Sequence, residues 1–253
     1  KGEILSPTMM YTDPRGEEEA DQLRQKLGDD FIKANVGTAS HPMYSLPKLM
    51  WVRNNQSDIF NRTKKVCLIA DYLVFKLTGN HLIEYSLAAR TMGLDIRTKA
   101  WNQEVFKAAG IDPGLFGKLV PSGTDAGSVL PGIAEELGLS KELRVVLCCH
   151  DQVAAAVGSN VIKPGLATDG GGSVQCMTPV FSSIPKDGTL QDNHYSIVPF
   201  LSDSYCCYAF SFTGGSLVKW FVDNFAEQYR IEAAKKNMRV YELMEGQMID
   251  NPT

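Results

Sequence analysis

The chain has 253 residues, of which 44% are hydrophobic and 21% are charged, a composition typical of globular domains. Its 25 basic and 29 acidic residues give a formal net charge of −4, and no basic stripe indicates a nucleic acid or an anionic membrane as partner. No apolar run approaches the ~20 residues that span a bilayer, and the first residues carry no signal-peptide pattern. The length suffices for one large domain or two moderate ones.

Six cysteines are present, and none of them forms a Cys-x-x-Cys pair. Four lie as adjacent pairs, at 148–149 and 206–207, inside apolar runs. We therefore expect buried free thiols and a reducing, cytoplasmic environment. Since the chain has no His-x-x-x-His pair either, no residue is assigned as a metal ligand.

The first residues predict a strand at 6–11, a turn at Asp13-Pro14-Arg15-Gly16 and a helix at Glu17–Leu27 with an acidic first turn. The clearest helix pattern covers residues 65–77 and is closed by the C-cap glycine Gly79. Its apolar residues fall on one helical face, at Val66, Ile69, Ala70, Leu73 and Leu77.

Shorter helices are predicted at 101–109 and at Pro131–Leu137. The connection between them, residues 110–130, is rich in glycine and is predicted to be irregular.

Residues 144–175 form the stretch around which the rest is organised. The apolar run 145–149 predicts a buried strand, and the alanine-rich run 153–157 predicts a helix. Asp151 lies between them, where the free N–H groups and the dipole of a helix stabilise a carboxylate. A triple glycine, residues 170–172, follows, and the amides of such a turn can approach a phosphate closely. Two simpler interpretations stay open: Asp151 caps the helix, and the glycines make a hairpin turn.

Beyond residue 180 the pattern predicts strands at 194–201 and 205–210. Thr213-Gly214-Gly215-Ser216 interrupts them, and a helix is predicted at 217–229, followed by an amphipathic helix at 235–247. The aromatic residues of the first of these helices are expected to face a core, at Trp220, Phe221 and Phe225.

Several motifs, in this order and spacing, resemble those of the FGGY carbohydrate kinases, the sugar-kinase branch of the actin–hexokinase–Hsp70 superfamily. The central match is Cys149-His150-Asp151-Gln152, and it is followed by Pro164-Gly165 and by Gly172-Ser173-Val174. Further matches are Tyr11-Thr12-Asp13-Pro14-Arg15, Asp71-Tyr72-Leu73 and the Gly215-to-Trp220 segment. The chain departs from the family pattern at Tyr11, usually Trp, and at Ser173, usually Thr.

The resemblance implies an α/β, ribonuclease-H-like (actin-like ATPase) two-domain kinase fold, incomplete at both termini. Residues 1–163 would be the remainder of the N-terminal sugar-binding domain, and residues 164–253 the start of the C-terminal nucleotide-binding domain. It also implies ATP and Mg²⁺ as cofactors and a small sugar or polyol as substrate. A homodimer stays open, because a first domain that lacks strands exposes a sheet edge.

The resemblance further implies roles for individual residues. Asp151 would be the catalytic base. Substrate contacts are expected from Asp13, Tyr44, Tyr85 and Gln152. Nucleotide contacts are expected from Gly172, Ser173, Gly215 and Lys219. Plainer roles stay open for three residues: Asp13 as a helix cap, Tyr44 as packing, and Lys48 as a solvated charge.

The expected reaction is transfer of the γ-phosphoryl group of ATP to a sugar or polyol hydroxyl, with Asp151 accepting the hydroxyl proton. The chain has neither a Gly-x-Ser-x-Gly nucleophile elbow nor a dinucleotide glycine fingerprint. A non-catalytic sugar- or nucleotide-binding relative on the same scaffold is the alternative. Because the sequence also lacks the Asp-x-Gly-Thr hairpin that holds Mg²⁺ and phosphates in this superfamily, we expect the 253-residue chain alone to be inactive.

Overall fold

The computed structural model describes residues 2–185, 189–193, 195–211 and 213–250, with the backbone alone at residue 250. By its internal contacts the chain divides into two units. The first comprises Lys1–Thr168 and Thr178–Ala209, and the second comprises Asp169–Met177 and Phe210–Thr253. In the part of the chain that is described, no helix is both long and apolar enough to cross a membrane.

Helices dominate the first eighty residues. They are α1 (Glu17–Leu27), α2 (Asp29–Val36), α3 (Ser45–Asn55), α4 (Ser57–Arg62) and α5 (Ile69–Thr78). The helix expected at Glu17–Leu27 is confirmed with the same bounds, since its acidic first turn and basic last turn both favour the helix dipole. Helices α2 to α4 were not predicted.

Short strands and helices alternate in the middle of the chain. They are β1 (Leu82–Glu84), α6 (Tyr85–Ala89), β2 (Leu94–Asp95), β3 (Ala100–Trp101), α7 (Gln103–Ala109), β4 (Lys118–Val120), β5 (Asp125–Ser128), α8 (Pro131–Leu137), β6 (Arg144–Val146) and α9 (Asp151–Gly158). The prediction of an irregular connection over 110–130 is wrong, because β4 pairs in parallel with β1 and β5 pairs antiparallel with β6. Strands of three or four residues are too short to produce an alternating pattern in the sequence.

The remaining elements are β7 (Ala167–Gly171), β8 (Gln175–Phe181), α10 (Thr189–Asp192), β9 (Ser196–Pro199), β10 (Tyr205–Ser211), α11 (Gly215–Phe225), α12 (Glu227–Lys235) and α13 (Val240–Asp250). The four strands form a sheet of order β7-β8-β10-β9, in which β9 and β10 are antiparallel. The strand predicted at 194–201 is shorter than expected, and His194, its first residue, lies outside the described residues.

One core cluster brings α1, α2 and α3 together with the segment around α7. Leu23, Ile32, Leu46, Met50 and Phe106 are among its fully buried members. The Phe106 ring meets the rings of Trp101 and Phe116, with centroids 5.6 and 5.5 Å away. This packing fixes the helical part of the first unit.

The helix predicted at 65–77 begins later than expected, at Ile69. Asp71 Oδ1 accepts a 2.7 Å hydrogen bond from the Leu68 N–H, which makes Leu68 the N-cap. Val66 lies outside the helix instead, and its N–H donates to the Leu115 carbonyl at 2.8 Å. The predicted apolar face is also wrong, because the Ile69 and Leu73 side chains are exposed.

Asp71 itself is almost completely buried, with 1% of the residue exposed. Burial raises the pKa of its carboxyl to about 7, and hydrogen bonds from Leu68 and the Cys67 thiol offset part of the rise. Burial and the neighbouring Asp71 raise the pKa of Cys67 to about 12. Asp71 thus has a structural role, as the side chain that starts α5.

In the second unit the predicted helix over 217–229 is divided into α11 and α12, which meet at Ala226. The expectation that its aromatic residues face a core is wrong, because Trp220, Phe221 and Phe225 are exposed. The Phe225 ring lies 5.1 Å from that of Trp220 and 6.0 Å from that of Phe221. The aromatic residues therefore pack on one another within one helix.

Gly37 ends α2 with φ +74° and lies directly beside β9. Its carbonyl accepts a 2.8 Å hydrogen bond from the Ile197 N–H. A Cβ at this position would lie 2.3 Å from the Ile197 carbonyl oxygen. Gly37 is therefore required both by its left-handed conformation and by the close approach of a second backbone.

We predict that Gly37→Ala destabilises the chain by several kcal/mol, in contrast to Gly138→Ala. Gly138 also ends a helix with a left-handed φ, of +65°, but a Cβ there meets nothing within 4 Å. The control should therefore cost only the left-handed strain, about 1–2 kcal/mol, and Gly37→Ala at least ~2 kcal/mol more because of the backbone clash. Urea unfolding of both variants measures the difference, and equal losses would contradict the proposed role of Gly37.

Candidate active site

Asp151 is the first residue of α9, five residues after the end of β6. The N-cap of this helix is His150, with φ −54° and ψ 147°. The Asp151 side chain is 79% exposed, and its Oδ1 accepts a 2.7 Å hydrogen bond from the Gln152 N–H. The carboxylate therefore sits at the positive end of a helix, open to solvent, while the cap position belongs to its neighbour.

His150 is mostly buried beside Asp151, with its Nδ1 at 3.0 Å from Asp151 Oδ1. Burial, and then the charge of Arg90, lower the pKa of His150 to about 4. The ring is neutral near pH 7, and its Nδ1 accepts a 3.4 Å hydrogen bond from the Gln152 N–H, which caps the helix. The His150 ring also lies against Tyr208, with centroids 5.1 Å apart.

The backbone of His150 is held from the other side by a buried polar network. Its N–H donates to Ser86 Oγ at 2.9 Å, and the Ser86 hydroxyl donates to Glu84 Oε2 at 2.5 Å. Glu84 Oε2 also accepts from the N–H groups of Ser86 and Leu87, and Oε1 accepts from Ser122 Oγ. Glu84 and Ser86 are buried, so a charge-assisted network fixes the residue that precedes Asp151.

Arg90 extends the site from His150 towards Tyr44. Its guanidinium carbon lies 4.8 Å from the centroid of the Tyr44 ring and 5.7 Å from that of Tyr208. Tyr44 is buried, and its hydroxyl bonds Thr38 Oγ1 and, at 2.8 Å, Ser196 Oγ. The packing role that the sequence left open for Tyr44 is thus present, and its role towards a sugar stays a prediction.

Asp13 belongs to a different set of contacts. It accepts a forked hydrogen bond from Arg15, whose Nη2 lies 2.5 Å from Oδ2, and this pairing holds the pKa of Asp13 well below its usual range. The N-cap of α1 is Gly16, and no side chain caps the helix, so the cap interpretation of Asp13 is wrong. Lys48 is buried, not solvated, and its ammonium donates to the Asp13 carbonyl.

The other two predicted substrate residues are half-buried and near this site in sequence: Tyr85 begins α6, and Gln152 follows Asp151 in α9. Their contacts with a substrate stay a prediction.

The predicted nucleotide residues lie in the second unit. Here the turn between β7 and β8 meets the start of α11: the Gly214 N–H donates to the Ser173 carbonyl at 3.0 Å, and the Gly215 N–H to the Gly172 carbonyl at 2.7 Å. The Gly172 N–H is also used, by the Val174 carbonyl at 2.9 Å. Because these N–H groups already donate to carbonyls within the loop, they are not available to bind a phosphate. The glycines can still contribute by allowing a ligand to lie close to the backbone.

Lys219 lies one turn further along α11. Its ammonium is exposed and pairs with Asp223 at 2.5 Å, four residues on. Such an exposed pair within one helix contributes little stability, and it leaves the lysine able to exchange its partner.

Sequence reasoning missed three residues of these sites. Ser86 and Arg90 lie within the segment 85–91, from which only Tyr85 was selected, and Gly214 was passed over for Gly215. At Gly214 a Cβ would lie 2.9 Å from the Gly172 carbonyl oxygen, so the position requires glycine. The adjacent pair Gly214-Gly215 in the sequence could have indicated this requirement. For Ser86 no local pattern marks a hydroxyl that binds a backbone 64 residues away.

A solved structure of a known protein shows which fold the chain has. The structure is similar to that of a xylulose kinase from Rhodospirillum rubrum, with a TM-score of 0.83 and 21% identity over 93% of this chain and 47% of that one. The predicted fold is thereby confirmed as the actin-like ATPase fold of sugar kinases.

The FGGY family of carbohydrate kinases is matched by its N-terminal domain model over residues 1–158. The chain belongs to this family. Gluconokinase of Bacillus subtilis (strain 168) is 26% identical over 247 residues, which are 95% of this chain and 46% of the relative. Xylulose kinase of Lactococcus lactis is 29% identical over 226 residues, which are 87% of this chain and 43% of the relative. The chain spans less than half the length of these curated relatives.

We predict that His150 makes stability fall on acidification. Its pKa is about 4 in the folded chain against an ordinary 6.5, so the unfolded chain binds the proton more strongly between these values. The stabilising contribution is complete above pH 6.5 and is lost as the pH falls to 4, by up to about 3 kcal/mol. The charged groups that face His150 are Arg90 and Asp151, and the Tyr208 ring also lies against it.

His150→Asn tests this prediction, because Asn keeps a polar capping group at the position of Nδ1 but does not titrate. Urea unfolding at pH 7 and pH 4.5, with Trp220 replaced by Phe so that Trp51 and Trp101 report on the first unit, gives the two free energies. The parent should lose more stability than the variant over this range. A parallel loss in both proteins would show that other groups cause the acid sensitivity.

Proposed function

We propose that the kinase to which this chain belongs phosphorylates a hydroxyl of a sugar or polyol, with Asp151 as the general base. The observation that supports this most directly is the contrast at Asp151: its carboxylate is 79% exposed, whereas the preceding residue is held by the buried Ser86–Glu84 network. A base needs this combination, because a proton acceptor must be accessible and also fixed in position.

In this mechanism Asp151 accepts the proton of the acceptor hydroxyl as it attacks the γ-phosphate. The carboxylate lies at the positive end of α9, and the hydrogen bond from the Gln152 N–H to its Oδ1 orients it. Gln152, which can both donate and accept hydrogen bonds, would orient a neighbouring hydroxyl. Tyr85, Tyr44 and Asp13 complete the proposed substrate set. The relatives' names point to gluconate- or xylulose-like substrates.

ATP is proposed as the phosphoryl donor, at the loop of the second unit. The glycines of this loop support ATP binding there. Gly172, Gly214 and Gly215 let two backbone segments lie close together, and a Cβ at Gly214 would prevent this packing. Ser173 would offer a hydroxyl and Lys219 a cation to the phosphates. Bound Mg²⁺ would neutralise phosphate charge, and no residue of this chain is assigned as its ligand.

The organisation of the kinase is also part of the proposal. The boundary between sugar-binding and nucleotide-binding domains is placed near residue 163, and the homodimer stays a prediction. A cytoplasmic location is proposed because Cys67, Cys148, Cys149 and Cys206 are free thiols, as expected in a reducing compartment.

We predict that Asp151→Asn in the whole kinase lowers turnover by about 10²- to 10⁴-fold, the usual contribution of a general base. The substitution keeps the size of the side chain and removes the proton acceptor. Asp203→Asn is the matched control, since Asp203 is a fully exposed aspartate that pairs with Lys99. ATP-dependent phosphorylation of gluconate, xylulose and glycerol gives the rates. Near-normal turnover in a folded Asp151→Asn protein would exclude Asp151 as the base.

We further predict that the 253-residue chain alone does not catalyse phosphoryl transfer from ATP to a sugar. Its sequence contains no Asp-x-Gly-Thr hairpin, and the metal and charge neutralisation which that hairpin supplies dominate phosphoryl transfer. The assay compares this chain with the whole kinase on the same sugars. A comparable rate for the 253-residue chain would refute the prediction, and activity in neither protein would favour a non-catalytic relative.

A further inference from the structure

Three chemically different side chains converge at the start of α5, and none of them is assigned above to the Asp151 site or to the glycine loop. They are Cys67, Asp71 and His81, and their ligand atoms all lie within 4.8 Å of one another. Cys67 precedes the helix by two residues, Asp71 lies in its first turn, and His81 directly precedes β1. We propose that this cluster is a binding site for one transition-metal ion of the Zn²⁺ type, distinct from the Mg²⁺ of phosphoryl transfer.

The spacing of the ligand atoms suits a tetrahedral ion. Cys67 Sγ lies 3.4 Å from His81 Nε2. Zn–S and Zn–N bonds of about 2.3 and 2.0 Å at a tetrahedral angle separate sulfur and nitrogen by about 3.5 Å. Binding at this pair of atoms therefore requires little movement of either side chain.

Asp71 supplies an independent reason for a cation here. One of its oxygens, Oδ1, is used by the Leu68 N–H. The other, Oδ2, is buried and has no hydrogen-bond partner among the described residues, so the Cys67 thiol beside the carboxyl offsets only part of the effect of burial. A buried carboxylate oxygen without a partner is costly, and an adjacent cation would remove that cost. Cys67 and His81 are only half-buried, so solvent can enter and water can take the fourth position.

The surroundings of His81 define what binding must change. Its Nε2 lies 3.2 Å from the Val66 carbonyl, and its Nδ1 lies 3.2 Å from Lys65 Nζ. Without metal, the proton is therefore on Nε2. With metal on Nε2, the imidazole proton moves to Nδ1 and the Lys65 ammonium must leave. Lys65 is exposed and lies 5.4 Å from the Phe75 ring, which can keep the cation nearby.

The types of ligand atom in the cluster indicate which metal ions it can bind. Thiolate, imidazole and carboxylate together suit Zn²⁺ and Co²⁺, whereas Mg²⁺ and Ca²⁺ prefer oxygen ligands alone. On binding, the Cys67 thiol and any protonated Asp71 carboxyl release their protons to solvent, and the resulting thiolate and carboxylate balance the two positive charges. Net charge in the half-buried site is then zero, which keeps the cost of desolvation small.

Titration of the reduced, metal-free 253-residue chain with Co²⁺ tests the proposal without any kinase assay. We expect a thiolate-to-cobalt absorption band that saturates at one equivalent and disappears when Zn²⁺ is added. The band should be lost in Cys67→Ser and kept in Cys148→Ser, the matched control, because Cys148 is an exposed thiol elsewhere in the chain. Absence of the band, or a band that follows Cys148 instead of Cys67, overturns the proposal.

Three further variants separate ligation from folding. Asp71→Asn keeps an oxygen for the Leu68 N–H, and both it and His81→Gln should weaken Co²⁺ binding on the order of 100-fold while circular dichroism stays that of the parent. Lys65→Gln should tighten binding by up to about tenfold, because it removes a cation and offers an oxygen to the Nδ1 proton. Unchanged affinity in Asp71→Asn and His81→Gln would overturn the proposed ligand set, and weaker binding in Lys65→Gln would overturn the proposed role of Lys65.

Discussion

The hydrogen bond from the His150 N–H to the Ser86 hydroxyl is the contact on which the candidate active site depends. It joins segments 64 residues apart and anchors the point where the chain turns into α9. Ser86 can accept this bond because its own proton is directed to Glu84, whose four acceptor contacts are all satisfied inside the protein. A buried carboxylate in such a network costs little and is rigid.

That rigidity explains how an exposed aspartate can still be positioned. Asp151 makes few contacts of its own, and its place is determined by a backbone that is held from within. The neutral His150 ring, packed on Tyr208 and next to Arg90, completes the support. The site therefore separates two tasks: buried residues fix the geometry, and the solvent-facing carboxylate is left for chemistry.

Close backbone approach is the second principle that recurs in this chain. In the first unit Gly37 lets β9 lie against the end of α2, and in the second unit Gly214 lets the start of α11 lie against the β7–β8 turn. In both places a methyl group would meet a backbone oxygen, which cannot move aside as a side chain could. Glycine is thus a structural requirement at these positions, independent of any ligand.

The sequence alone determined the features that depend on local chemistry. The acidic start of α1, the proline and glycine that bound α8, and the change from strand to helix around Asp151 were all predicted from neighbouring residues, and the family followed from short motifs. Tertiary structure decided the rest. It started α5 at Ile69 through the Asp71–Leu68 hydrogen bond, paired β4 with β1, and left Trp220 exposed. It also brought Ser86 to His150 and Cys67 to His81, because which side chains meet depends on packing between segments that are distant in sequence, and no local pattern records such a meeting.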